Sequence, residues 1–292
     1  MSIPLYEYFI ISFQIISFFF YIIVILILAI DFYNSTENFN PSFTVLFVFN
    51  GISDILSTIS ILVFRKIVEW NIWHEYFINN NIILYFYKLF FFQSIVLSIS
   101  GYITITFNRF ISIYAPITFK NIWTTKISLV IILSQIIICY LCYVHIFFSN
   151  IIYVYDNIVK EWYITTEPLY YSIINNIILL IFCVTGTISN TFLNFLIWKK
   201  FKNIFKNQDK ENSKHTTIFL YMCITSFFLT IATVQIALRL NSIIIDNNEL
   251  RNAINNYFFY SLPLLSSLTP FIMILHSTYL RNTIYKFICN IF

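Results

Sequence analysis

Residues 8–30 read YFIISFQIISFFFYIIVILILAI, a run that contains no charged residue. An α-helix rises about 1.5 Å per residue, so about 20 such residues cross the roughly 30 Å hydrocarbon core of a bilayer. No basic leader precedes the run and no small-residue cleavage site follows it, as a secretory signal peptide would require. The stretch therefore predicts a transmembrane helix that is retained in the mature protein.

Six further mostly apolar runs of similar length follow along the chain. They lie at residues 42–64, 82–107, 127–148, 169–198, 216–238 and 257–280. The sequence contains no repeat of 20–50 residues, and it has only three Gly and six Pro residues from which to build a linker. We therefore expect an all-α fold: one domain over residues 1–292 that forms a membrane bundle of seven transmembrane helices.

The composition excludes an ordinary soluble fold. Hydrophobic residues make up 59% of the chain and charged residues 10%, whereas soluble domains carry about 25% charged residues. So few charges could not cover the apolar surface in water, but a lipid bilayer is a suitable solvent for it. The net charge of +4 gives no indication of nucleic acid as a partner.

The loops between the runs carry an uneven distribution of Lys and Arg. If the N-terminus lies outside the cell, the inner loops hold eleven of the seventeen basic residues, six of them lysines within residues 199–214. The positive-inside rule then places the N-terminus outside and the C-terminus inside. The glycosylation sequon Asn34-Ser35-Thr36 would fall in an inner loop, and we interpret it as a chance match because it lies close to a span.

The second span contains polar residues at a depth where lipid cannot solvate them. Asn50, Asp54 and Ser57 share one helical face, and Asp54 lies about 18 Å from the inner end at 1.5 Å per residue. A carboxyl group at that depth must be protonated, paired or hydrated. A cation site, a proton-sensitive lock and a structural hydrogen-bond node all fit this pattern.

The third span carries a stripe of residues at alternating spacings of four and three. Its members are Tyr87, Phe91, Ser94, Ser98, Gly101, Ile105 and Asn108. The stripe is typical of a packing seam between helices, and its upper half could equally face a ligand. Lys88 either extends its ammonium group to the outer interface, balances an acidic ligand, or pairs with Asp156 or Glu161.

Candidate ligand-lining residues are drawn from the outer halves of the third, fifth, sixth and seventh spans. They are Tyr87, Lys88, Phe91, Ser94, Asn176, Thr233 and Tyr260. In the seventh span, Pro263 and Pro270 lie seven residues apart and hence on one face. Proline removes a helix hydrogen bond and bends the helix, which suits either a static kink or a helix that changes shape.

The sequence contains no pattern typical of catalysis or of metal binding. It has no HExxH or GxSxG motif, no phosphate-binding glycine loop and no Cys or His cluster with metal-ligand spacing. These patterns accompany metallohydrolases, serine hydrolases and nucleotide-binding enzymes. We therefore expect no enzymatic activity, no metal and no cofactor.

Two segments resemble a known receptor family. Residues 105–123 read ITFNRFISIYAPITFKNIW, in which Asn108-Arg109 ends the third span and Pro116 follows seven residues after the arginine. This resembles the third-helix signature of G-protein-coupled receptors, in the variant of the nematode chemoreceptor families Srg and Srv. Residues 268–281, LTPFIMILHSTYLR, are similar to the final helix of those families.

The resemblance implies a chemosensory receptor that detects a small organic ligand and signals to a heterotrimeric G protein. It implies a multi-pass protein of the plasma membrane, including that of a sensory cilium. By this match Asn108, Arg109 and Pro116 form the coupling motif, and Arg109 contacts the G protein or holds the inactive state. The chain departs from rhodopsin-like receptors because Asn108 replaces the usual acid and Met273 stands where they have tyrosine. A seven-span ligand-gated channel or a transporter is the alternative.

Overall fold

The computed structural model of the chain describes residues 5–34, 40–156, 161–205, 212–245 and 248–291. The chain is built mainly from helices that follow the apolar runs. The long helices are α1 (Leu5–Tyr33), α2 (Pro41–Ile61), α3 (Asn81–Tyr114), α4 (Thr125–Cys142), α5 (Leu169–Phe205), α6 (Asn212–Ile244), α7 (Asn248–His276) and α8 (Thr278–Ile291). Shorter helical segments are Ile67–Glu69, His74–Asn79, Pro116–Ile122 and the 3₁₀ turn Val144–Phe148.

Helix α2 shows how local sequence sets a helix boundary. The side chain of Asn40 accepts a hydrogen bond from the Ser42 amide, and Pro41 occupies the first helical turn. Both residue types favour a helix start, since the asparagine satisfies an exposed amide and proline has none to satisfy. At its other end α2 continues through a π-helical turn, Leu62–Lys66, into Ile67–Glu69, past the predicted end at residue 64.

A two-stranded β-hairpin lies between α4 and α5. Strands β1 (Asn150–Asp156) and β2 (Glu161–Glu167) pair antiparallel, with Asn150 opposite Glu167. The expectation of an entirely helical chain is therefore corrected at this point. The strands are rich in aromatic and β-branched residues, which pack well on a pleated surface.

Aromatic rings anchor the hairpin to the segment that leads into α3. Tyr153 and Trp162 stack with ring centroids 4.6 Å apart, and His74 lies 4.3 Å from Trp162. The Tyr153 hydroxyl is 3.0 Å from His74 Nδ1. Burial raises the pKa of Tyr153 to about 12, so the phenol is neutral at physiological pH and remains available for this hydrogen bond.

The helices pack side by side around a buried interior. Contacts join α2 with α3, α3 with α5, α5 with α6, α6 with α7, and α1 with α7. Large apolar side chains such as Phe9, Phe19 and Ile188 are exposed on the outer faces of the helices. An apolar outer face is what lipid contact requires.

Six helices of the described part of the chain are long and apolar enough to cross a membrane. They cover Leu5–Tyr33, Pro41–Glu69, Ile82–Tyr114, Thr125–Phe148, Leu169–Lys200 and Cys223–Ile244. In α7 the apolar stretch found among the described residues is Pro263–Leu275. The chain is thus a helical membrane bundle, and a seventh crossing by α7 stays a prediction.

The end of α1 differs from the predicted loop. Helix α1 runs on to Tyr33, and Asp31 is buried. Its Oδ1 accepts a 2.6 Å hydrogen bond from the Tyr279 hydroxyl of α8. The sequon at residues 34–36 lies largely outside the described residues, as do the lysines at positions 206 and 210.

Candidate functional site

Asp54 lies at the centre of a buried polar cluster in the helix bundle. Its side chain is fully buried, and its Oδ2 accepts hydrogen bonds from the Tyr21 hydroxyl at 2.8 Å and the Tyr102 hydroxyl at 2.9 Å. Asn50 Nδ2 also donates to Oδ2, at 3.3 Å, and the Ser98 hydroxyl donates to Oδ1. Four donors from three helices therefore converge on one carboxyl group.

The cluster extends from Asp54 to α7. The hydroxyls of Thr58 and Ser266 are 3.0 Å apart, and those of Tyr102 and Thr269 are 3.4 Å apart. Ser17 of α1 also donates to a backbone carbonyl of α7. Hydrogen bonds from buried polar side chains thus connect α1, α2, α3 and α7 in the middle of the bundle.

Gly101 allows α2 and α3 to approach closely beside this cluster. A Cβ atom at Gly101 would overlap the Asn50 side-chain oxygen and lie 2.6 Å from its Cγ. Small residues at such positions let helix backbones pack tightly in a membrane. The packing seam predicted for the lower half of the stripe is buried here, with Ile105 and Asn108 continuing it towards the inner end.

The geometry around Asp54 matches a hydrogen-bond node. Both carboxyl oxygens are already occupied by donors from side chains, which compensates the cost of placing the group in a low-dielectric interior. A node of this kind responds to helix movement, because a shift of α3 would remove the bonds from Ser98 and Tyr102 together. The arrangement is suited to coupling helix positions rather than to bond chemistry.

A second contact between α3 and α7 lies at the predicted inner end. Arg109 Nη2 is 3.9 Å from the sulfur of Met273, and the guanidinium lies 5.3 Å from the centre of the Phe43 ring. Asn108 is buried beside it, while Pro116 begins the short helix that follows α3. The structure therefore brings Arg109 against α2 and α7, buries Asn108 next to it, and places Pro116 at the next helix start.

The predicted ligand-lining residues do not gather around one described cavity. Tyr87 and Phe91 are buried and stack on each other, with ring centroids 4.8 Å apart. Ser94 donates to the Phe91 carbonyl, and Asn176 donates to the Ser172 carbonyl at 2.7 Å.

The remaining candidates have separate surroundings. The hydroxyl of Thr233 is 2.8 Å from that of Thr187. Lys88 Nζ donates to the Ser149 carbonyl at 2.7 Å, so it contacts the backbone just before β1. The Tyr260 side chain lies outside the described residues. A ligand site formed by these seven residues stays a prediction.

Two cavities flank the β-hairpin. The larger, about 500 Å³, lies between β2 and the ends of α2, α5 and α6, and Arg65 and Arg239 are among its lining residues. The smaller, about 370 Å³, includes Lys88 and Tyr85. The predicted spans end at residues 64 and 238, directly before Arg65 and Arg239, whereas the structure places both arginines in helical backbone.

Comparison with known proteins adds the family. No curated protein matches the chain. A family model described as Srg family chemoreceptor matches residues 8–284, which is nearly the whole chain. The matched range includes the Asn108-Arg109 junction and the α7 segment. The chain therefore belongs to the Srg family of chemoreceptors.

Proposed function

We propose that the protein is a plasma-membrane receptor that binds a small organic ligand at its outer side and signals to a heterotrimeric G protein at its inner side. Membership of a chemoreceptor family supports the sensory role. The helical membrane bundle supports a multi-pass location. The buried polar side chains join helices to one another, which is consistent with a protein that detects a ligand without converting it chemically.

The observation that carries the proposal is the double contact between α3 and α7. Tyr102 meets Thr269, and Arg109 meets Met273. Tyr102 and Arg109 are seven residues apart and lie on one face of α3. Thr269 and Met273 are four residues apart and lie on one face of α7. A displacement of α7 at the Asp54 cluster is therefore transmitted to Arg109.

The proposed orientation follows the distribution of basic residues. The N-terminus and the β-hairpin lie outside, α7 crosses the membrane, and α8 lies inside. The six lysines within residues 199–214 then lie on the inner side of the membrane, where they attract anionic lipid headgroups or an acidic protein surface. Arg109 at the inner end of α3 is the residue that we assign to the coupling.

The proposal is tested by expression in a heterologous cell and by measuring G-protein activation with a panel of odorants. We expect at least one odorant to activate, and Arg109→Ala to reduce the maximal response by about tenfold, since an interaction worth roughly 1.4 kcal/mol changes an equilibrium tenfold. Lys126→Ala removes an exposed basic residue from the same end as a matched control and should retain the response. An unchanged response in Arg109→Ala at equal surface expression would refute its role.

A further inference from the structure

The larger cavity beside the hairpin has walls from four different parts of the fold. Arg65 comes from the end of α2, Arg239 and Ile243 from α6, and residues 163–167 from β2. Pro168, Leu169 and Ser172 close the side where β2 runs into α5. A volume of about 500 Å³ lies within the range of roughly 300–1,000 Å³ that is typical of small-molecule sites.

Two guanidinium groups line this one cavity. Arg65 is 9% exposed, and its Nε lies 3.8 Å from Glu69 Oε2, so Glu69 offsets part of its charge. Arg239 is partly buried on α6. Within this lining the acidic residue is Glu167, which is exposed. Two cationic side chains thus border the same cavity, and an anion bound there would be attracted to both.

The chemistry of arginine narrows the class of anion. A guanidinium group presents planar paired donors that match the two oxygens of a carboxylate. Tyr163, Thr165 and Thr166 add hydroxyl groups to the wall, and Ile164 and Ile243 add apolar surface. This combination suits a molecule with one acidic group and an apolar body.

We propose that this cavity binds small organic carboxylates, with Arg65 and Arg239 as the groups that recognise the carboxylate. The proposal rests on the receptor function proposed above, for which it names the ligand class. It differs from the predicted pocket, since none of the six predicted lining residues whose side chains the structure describes borders this cavity.

Binding is measured on the purified full-length chain in detergent, as the shift in its thermal unfolding midpoint. The probes are hexanoate and benzoate, with hexanamide and benzamide as neutral partners of the same shape. We expect at least one acid to raise the midpoint in a saturable way and neither amide to do so. Arg239→Gln should weaken the apparent affinity by about tenfold or more, because it removes a charged hydrogen-bonding partner.

Lys126→Gln is the matched control, since it removes an exposed positive charge at the end of α4 opposite to the hairpin. It should keep the affinity within about twofold of the unaltered chain, as a site without contact to the ligand would. Arg239→Lys guards against a folding defect, because it keeps the positive charge but loses the paired donors. Its affinity for the acid should lie between those of the unaltered chain and of Arg239→Gln.

The proposal is overturned if neither acid shifts the midpoint, if the amides act as well as the acids, or if Lys126→Gln weakens the shift as much as Arg239→Gln does. The readout contains no G protein. A carboxylate that binds here without activating a G protein would therefore count against the receptor function alone. Activation by neutral odorants without any shift from the acids would count against this site alone.

Discussion

The Asp54 carboxyl group accepts hydrogen bonds from four donors, so its surroundings favour a side chain that offers only acceptor atoms. Asp54→Asn replaces one oxygen with an NH₂ group, which then faces hydroxyl or amide hydrogens of Tyr21, Tyr102, Asn50 or Ser98. An unsatisfied buried donor costs about 1–3 kcal/mol. We expect a lower unfolding midpoint for the purified protein and a smaller folded yield.

Ser57→Ala is the matched control for that substitution. Ser57 lies one turn further along α2 and donates to the Asp54 carbonyl at 2.9 Å, so its loss removes one neutral hydrogen bond worth about 1 kcal/mol. Its midpoint should fall by less than that of Asp54→Asn. Equal midpoints for Asp54→Asn and the unaltered protein would contradict the node.

At the residue scale, the sequence predicts the acceptor of the node better than its donors. Asn50 and Asp54 stand out because polar side chains are rare in an apolar span. Tyr21 and Tyr102 carry no such signal in a chain with 21 tyrosines, and their pairing depends on helices that are distant in sequence. Depth in the membrane and helical face were the only available indications.

At the scale of elements, a buried ionic cluster fastens α1 to the end of α2. Lys66 Nζ lies 2.8 Å from Glu7 Oε1 and 3.1 Å from Glu69 Oε1, and Trp70 Nε1 donates to Glu7 Oε2 at 2.7 Å. Lys66→Met leaves two buried carboxylates without this cation. Breaking a buried pair in this way costs about 3–5 kcal/mol, so we expect a clear drop in the unfolding midpoint.

The matched variant removes the charges of Lys66 and Glu7 together. Glu7→Gln with Lys66→Met replaces this pair by neutral groups of similar size, and such replacements are often neutral or stabilising. Glu69 keeps its charge in this variant because its Oε2 also lies 3.8 Å from Arg65 Nε. The double variant should therefore recover part of the midpoint lost in Lys66→Met. A double variant less stable than Lys66→Met would show that the two charges do not act as a pair.

The elements themselves follow closely from the apolar runs, with exceptions that have physical causes. Between the fourth and fifth predicted spans, the charged residues Asp156, Lys160 and Glu161 favour a polar loop, although the IIYVY and WYITT segments are typical strand sequences. Helix α1 passes the predicted end at Ile30 because Asp31 has a partner in Tyr279. Such a partner cannot be read from local sequence.

At the scale of the whole molecule, the number of crossings decides on which side each end lies. Between Tyr155 in the hairpin and Tyr285 in α8, the chain passes through α5, α6 and α7. If all three cross, the two tyrosines lie on opposite sides. Both tyrosines are exposed, so a cysteine at either position can react with a membrane-impermeant maleimide. Tyr155→Cys and Tyr285→Cys are made separately in a chain that lacks the exposed Cys223 and Cys289.

We expect the reagent to label Tyr155→Cys in intact cells and Tyr285→Cys only after permeabilisation. Labelling of both in intact cells would mean that α7 does not cross. Labelling of Tyr285→Cys alone in intact cells would show that the orientation is the opposite of the proposed one, as expected for a channel with its N-terminus inside. The chain without either new cysteine provides the background signal.

The helical membrane architecture could be predicted from composition and hydropathy because both are summed over many residues. The cavity beside the hairpin could not. Its two arginines lie 174 positions apart, and each reads locally as an ordinary basic residue at a span boundary. Only the folding of β2 across the helix ends brings them to one space.

The position of Asp54 has a consequence for biosynthesis. Helix α2 enters the membrane before Ser98 and Tyr102 of α3 do, so at that moment the donors at hand for Asp54 are Tyr21 of α1 and Asn50 of α2 itself. An aspartate at the centre of a lone span costs about 2.5–3.5 kcal/mol on insertion. Ser98 and Tyr102 offset that cost only once α3 has joined α2, so we expect a change at either residue to lower the insertion yield as well as the stability of the folded protein.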